Sequence, residues 1–203
     1  MTILISEFVD YCKEHCCEPS VIFEIGAMDA ADATLLKKNF PTADVYAFEA
    51  YGAEFRKHAE SEHLKGINYI NLGLWNKDTR ITLHQKALGS GISSIRNRGD
   101  EYEGDTVQIE VSRIDTFCEE NNIPSIDIVK LDVEGCSYEV LEGFGELLKT
   151  VKIIHIETEQ KEHFEGQVLE REVFILLESA GMEMLKHSHC CLTQYDSIWL
   201  RKD

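Results

Sequence analysis

Apolar residues in this chain follow two rhythms. Near-continuous apolar runs at 21–25, 44–48, 126–131 and 151–157 have the length of strands, and 126–131 reads as a central strand buried on both faces. Between them, apolar side chains recur every three or four positions. Ile5, Phe8, Val9 and Cys12 mark a helix over 3–17. Ala33, Leu35, Leu36 and Phe40 mark a second over 30–40, with Pro41 at its exit. Further helices are expected at 53–64 (ended by Gly66), 115–122 (ended by Pro124), 137–143 and 168–180 (ended by Gly181). A third strand is expected at 67–71. Stretches 80–85 and 107–111 alternate apolar and polar residues and predict half-exposed strands. Stretches 182–186 and 197–201 predict a closing antiparallel pair. Residues 88–104, rich in Gly, Ser, Asn and Asp, predict a mobile loop. No repeat, linker or low-complexity tract interrupts the order.

Strand alternating with helix predicts a doubly wound α/β fold with right-handed crossovers. Ligands in such folds sit at the carboxyl ends of the strands. Acids stand at four of these ends: Glu24, Glu49, Asp132 and Glu157. The turn after the first strand carries Gly26, but Met28 stands where a dinucleotide fingerprint has its second glycine. Glu24 and Asp29 flank that turn and would repel a pyrophosphate. A sulfonium and an ammonium group would be attracted, which points to S-adenosylmethionine. Taken alone, the turn fits a glycine placed for geometry equally well. Glu49 lies about 20 residues past the turn, where related folds place the carboxylate that binds a ribose diol.

The chain has 203 residues, enough for one α/β domain with a full core. It reads as a single unit: a helix over 1–19, a cofactor-binding core over 20–160, and a helix and hairpin over 161–203. The formal net charge of −17 argues against nucleic acid or an anionic membrane as a partner. The first 15 residues lack a basic start and a long apolar core, so no signal peptide is expected, and no apolar run is long enough to span a membrane. Seven cysteines without disulfide-scaffold spacing suit a reducing cytoplasm. His187, His189, Cys190, Cys191 and the Cys16-Cys17 pair were weighed as zinc ligands. Adjacent strand cysteines point to opposite faces and no C-x-x-C occurs, so no metal is expected there.

Phe23-Glu24-Ile25-Gly26-Ala27, Ala47-Phe48-Glu49, Arg113-Ile114-Asp115-Thr116-Phe117 and Ile126-Asp127-Ile128-Val129-Lys130-Leu131-Asp132-Val133-Glu134-Gly135 follow one another in a recognisable order. With Val140-Leu141-Glu142-Gly143 downstream, the chain resembles the FkbM family of class I S-adenosylmethionine-dependent methyltransferases. The resemblance covers residues 20–160. It implies a Rossmann-like sandwich, with a mostly parallel seven-stranded sheet whose last strand is antiparallel. It also implies O-methylation of a sugar or other small-molecule hydroxyl. Two departures stand out: Ala50 replaces the proline frequent after Glu49, and Met28-Asp29-Ala30 replaces the usual continuation of the first turn.

Carried over, the resemblance places Gly26 and Ala27 against the methionine part of the cofactor, with Glu24 on its ammonium and Asp29 beside it. Glu49 takes the ribose hydroxyls next to Ala50. Residues 72–75, with Leu74 and Trp75, lie against adenine, although Trp75 fits core packing equally well. Asp132 and Glu134 face the path of the methyl group, and either could take the acceptor's proton. Glu157 or His155 stands next in line. Lys130 is a candidate partner for a catalytic carboxylate, a strand-end salt bridge fitting equally well; Arg96 and Arg98 are candidates for an anionic substrate group, although solvated loop charges fit them better. Two rival readings remain: a metal-dependent hydrolase or methyltransferase using the strand-end carboxylates, and a non-catalytic module that binds S-adenosylmethionine. The acceptor and the oligomeric state are not set by the sequence.

Overall fold

The computed structural model describes residues 2–16, 18–85, 88, 91, 93–98, 104–191 and 193–202. Seven strands form the main sheet: β1 (Val21–Ile25), β2 (Asp44–Phe48), β3 (Ile67–Ile70), β7 (Ile128–Leu131), β8 (Ile153–Glu159), β9 (Met182–Cys191) and β10 (Gln194–Arg201). Their order is β3-β2-β1-β7-β8-β10-β9. β1 pairs in parallel with β2 and β7, β2 with β3 and β7 with β8, whereas β10 runs antiparallel to both β8 and β9. The strand order therefore reverses between β1 and β7, the switch point at which a crevice opens above the strand ends.

β1 and β7 are buried along their whole length, as their continuous apolar runs require. One face packs Phe23, Phe48, Val129, Ile154 and Trp199 against the later helices α4 (Ile114–Glu120), α5 (Ser137–Gly143) and α6 (Glu170–Ser179). Phe117 from α4 meets Phe48 edge-on at 5.0 Å. The opposite face packs Ile22, Val45, Ile128 and Ile198 against α1 (Ile5–His15) and α2 (Ala31–Asn39).

The alternating strands β5 (Thr79–His84) and β6 (Thr106–Ser112) leave the main sheet. With the short β4 (Gly73–Leu74) they form a second sheet in the order β4-β6-β5, which the sequence did not announce. Several boundaries moved, among them the strand expected at 151–157, which runs over Ile153–Glu159. The helix expected at 53–64 is α3 (Gly52–His58) followed by a separate 3₁₀ turn (Glu62–Leu64). The central strand starts at Ile128, because Asp127 instead turns its carboxylate to the N–H groups of Ser20 and Val21, at 2.7 and 3.0 Å. The closing hairpin is longer than expected at both strands. The expectation of a mobile loop at 88–104 falls largely outside the described residues. Within that stretch, Ser94 exchanges backbone hydrogen bonds with His84 at 2.7 and 3.0 Å.

Candidate active site

A cavity of about 840 Å³, counted with its open mouth, lies above the carboxyl ends of β1, β2 and β7. The turn after β1 forms one wall. Gly26 and Ala27 donate their N–H groups to the Phe48 carbonyl at 3.1 and 2.9 Å, which locks the turn to β2. Gly26 has φ 83°, and a Cβ there would lie 1.8 Å from the Asp132 carbonyl oxygen. Glycine is thus demanded by the approach of β1 to β7. Met28 then takes φ 47°, held by Tyr69, whose hydroxyl donates to the Met28 carbonyl.

Glu49 closes this wall. Its Oε2 accepts from Met28 N–H at 2.8 Å and its Oε1 from Tyr51 N–H at 2.6 Å. Each oxygen keeps a further lone pair for a ligand hydroxyl. Burial raises the Glu49 proton affinity against the pull of these two donors. The facing wall is apolar and comes from the second sheet: Leu74, Leu83, Ile109 and Val111, with Leu72 and Trp75 beside them. Trp75 Nε1 is buried and has no hydrogen-bond partner among the described residues.

Asp132 and Glu134 form the floor. Asp132 Oδ2 lies 3.2 Å from Lys130 Nζ, which also reaches Asp32 at 3.1 Å. Lys130 is 8% exposed, and the surrounding acids push its pKa above the usual lysine range. Glu134 adopts φ 44°, a region that non-glycine residues rarely enter. Its carbonyl accepts from Ser94 Oγ at 2.6 Å, and its Oε2 is buried without a partner among the described residues. Burial, with Asp132 and Glu159 nearby, pushes the Glu134 carboxyl up to about 8. Glu157, expected at the end of its strand, lies two residues before the end of β8, and is pushed up to about 9 by burial and neighbouring acids. Asp132, Glu134 and Glu157 each place a carboxylate oxygen within 4.8 Å of the others.

Gly26, Glu49, Ala50, Leu74, Trp75, Asp132 and Glu134 thus line one cavity. Three other expected residues do not. Ala27 is buried in the turn. Asp29 Oδ1 accepts from Ala31 N–H at 3.1 Å at the start of α2. Glu24 is 2% exposed and faces α2, where its Oε2 accepts from Ala33 N–H at 2.8 Å. Burial pushes its carboxyl up to about 8, against the pull of Lys130. Arg96 is also committed elsewhere, to Glu139 and to the carbonyls of Glu165 and Gly166, so it is neither the solvated loop charge favoured by the sequence nor an anion receptor. Arg98 lies over the Phe164 ring at 5.1 Å. His187, weighed for zinc, pairs with Glu170 at 2.8 Å. Cavity residues with no local sequence signal include Tyr51, Glu54 and Ser94. Leu83, Ile109 and Val111 were visible only as the apolar side of two alternating strands.

The sequence matches the family described as the methyltransferase FkbM domain over residues 24–184. The chain belongs to this family. This FkbM methyltransferase is 27% identical over 173 residues to the 2-O-methyltransferase NoeI of Sinorhizobium fredii (strain NBRC 101917 / NGR234), covering 78% of this chain and 71% of that relative. It is 25% identical over 213 aligned positions to methyltransferase sdnD of Sordaria araneosa, covering 88% and 80%. Its fold is similar to that of magnesium protoporphyrin IX methyltransferase (ChlM) from Synechocystis PCC 6803, solved with bound SAM. There the TM-score is 0.55 at 12% identity, covering 98% of this chain and 78% of that one. It is also similar to the N-terminal domain of EvdMO1 with SAH bound, with a TM-score of 0.54 at 15% identity over 100% and 82%. The FkbM methyltransferase transfers a methyl group from S-adenosylmethionine. Its cavity suits that cofactor: an acid with spare lone pairs faces an apolar wall that ends in an unpartnered indole N–H.

Proposed function

We propose that the acceptor is a hydroxyl group of a sugar or another small molecule, and that Glu134 takes its proton. The observation that carries this reading is the buried Oε2 of Glu134 on the cavity floor, without a partner among the described residues and with its pKa raised to about 8. A base in that range is deprotonated in about a tenth of molecules at pH 7, more as pH rises, and holds a proton well once it has one. The bound cofactor supplies the electrophilic methyl group. Asp132, held by Lys130, stands beside the reacting centre. Glu49, Gly26, Ala50, Leu74 and Trp75 hold the cofactor. The 2-O-methyltransferase named among the relatives supports a hydroxyl acceptor. Labelled methyl transfer tested against panels of sugars, polyketides and small phenols checks the reading. Incorporation confined to amines or to carbon would end it.

A second reading has one observation in its favour. The carboxylates of Asp132, Glu134 and Glu157 converge closely enough to share a hard divalent cation, which would bind the acceptor hydroxyl and lower its pKa. Full activity after chelation and dialysis removes it. Residues 1–203 are taken as one methyltransferase domain working in the cytoplasm. Seven cysteines without disulfide-scaffold spacing support that compartment, and the net charge of −17 supports a small-molecule acceptor over nucleic acid. Among the described residues, no helix is long and apolar enough to cross a membrane.

A further inference from the structure

We propose that Glu157, Cys190 and Asp196, with His155 behind them, form a binding site for a divalent transition cation of the zinc type, where β8, β10 and β9 meet. Cys190 Sγ and one carboxylate oxygen from each acid all lie within 4.8 Å of one another. The backbone brings them together. Glu157 and Asp196 are direct partners across β8 and β10, so their side chains share one face of the sheet. Cys190 would ordinarily alternate with its neighbours. Here the register slips: Cys191 pairs with Gln194 and His189 with Tyr195, which leaves Cys190 as the extra residue of a bulge. A bulge re-aims a side chain, and this one places the thiol beside the two acids.

His155 is an independent pointer. It lies two residues before Glu157 on β8 and so faces the same way. It is 6% exposed, neither ring nitrogen has a hydrogen-bond partner among the described residues, and its Nε2 points at Asp196 Oδ1, 3.5 Å away. The other oxygen, Oδ2, accepts from Ile3 N–H at 3.0 Å. An imidazole behind a carboxylate is the kind of outer partner that orients a metal ligand. Besides burial, the strongest influences on Glu157 are the acids Asp132, Glu134, Glu159 and Asp196. A cation would replace the protons on Glu157 and on the Cys190 thiol, which would pass to solvent. One thiolate with carboxylates favours a zinc-type ion over magnesium or calcium. This donor set differs from the all-oxygen triad of the cavity and does not depend on the identity of the acceptor.

Cobalt(II), added to the metal-stripped full-length chain, tests the proposal because ligation by sulfur gives a thiolate-to-cobalt charge-transfer band. The band is expected in the parent, displaced by zinc, retained in Cys191→Ser and absent in Cys190→Ser. His155→Ala should weaken cobalt binding by ~10-fold or more. Circular dichroism establishes that each variant is folded. No band in the parent, a band that survives Cys190→Ser, or one lost in Cys191→Ser would overturn the site. Unchanged cobalt affinity in His155→Ala would overturn the role given to His155.

Discussion

Glu134 combines a strained backbone with an unpartnered buried oxygen. Such strain persists where the surroundings over-determine it, and it gathers at functional sites. Glu134→Gln is expected to lower kcat by ~10²-fold or more while cofactor affinity stays within a few-fold of the parent. Isothermal titration beside turnover assays separates the two effects, and parallel losses would move Glu134 into the cofactor site. Glu49→Ala should weaken S-adenosylhomocysteine binding by about 1–3 kcal/mol, the scale of hydrogen bonds to a charged group. Unchanged affinity in a folded variant would leave Glu49 a support for the turn alone. Gly26→Ala meets both a positive φ and the Asp132 carbonyl. It should cost about 1–3 kcal/mol in strain with the clash in addition, read as a lower urea midpoint. Glu49 was legible because spacing after the first turn locates it. Glu24 was not, because a strand buried on both faces has no polar side to show which way an acid points. Its alternation with Phe23 and Ile25 turns it toward α2.

At the scale of elements, the main sheet could be read from its apolar runs, and the cavity's second wall could not. Alternation in β5 and β6 shows an apolar side without saying what it faces; here Leu83, Ile109 and Val111 face the cofactor cavity. The tie between α5 and that wall was equally hidden. Gly143 ends α5 directly under the second sheet's approach, and a Cβ there would lie 2.1 Å from the Trp75 carbonyl oxygen. Its place in the Val140-Leu141-Glu142-Gly143 motif therefore has a physical reason. Gly143→Ala should displace Trp75 and weaken cofactor binding from outside the cavity. Calorimetry on the folded variant checks this, and parent-like affinity would show that the strand absorbs the shift.

For the whole molecule, the decisive quantity is the proton inventory at the strand ends. Glu24 and Glu134 are pushed up to about 8, Glu157 to about 9 and Glu159 to about 7, chiefly by burial. These acids keep protons in the folded chain that the unfolded chain releases above its ordinary carboxyl range. The native state then binds more protons, so stability falls as pH rises. The effect is fully favourable below the unfolded carboxyl pKa and is lost through the folded values. Melting temperature should decline between roughly pH 5.5 and 8.5, whereas methylation should rise as Glu134 gives up its proton. A flat melting profile over that range would show that these acids hold no extra protons in the folded chain. The arrangement around Ser94 has a different consequence. Its hydroxyl holds the Glu134 carbonyl, and two residues later Arg96 is latched to Glu139, Glu165 and Gly166. Substitution at Arg96 can therefore reposition the base through Ser94 while Asp132 and Glu134 themselves stay unchanged.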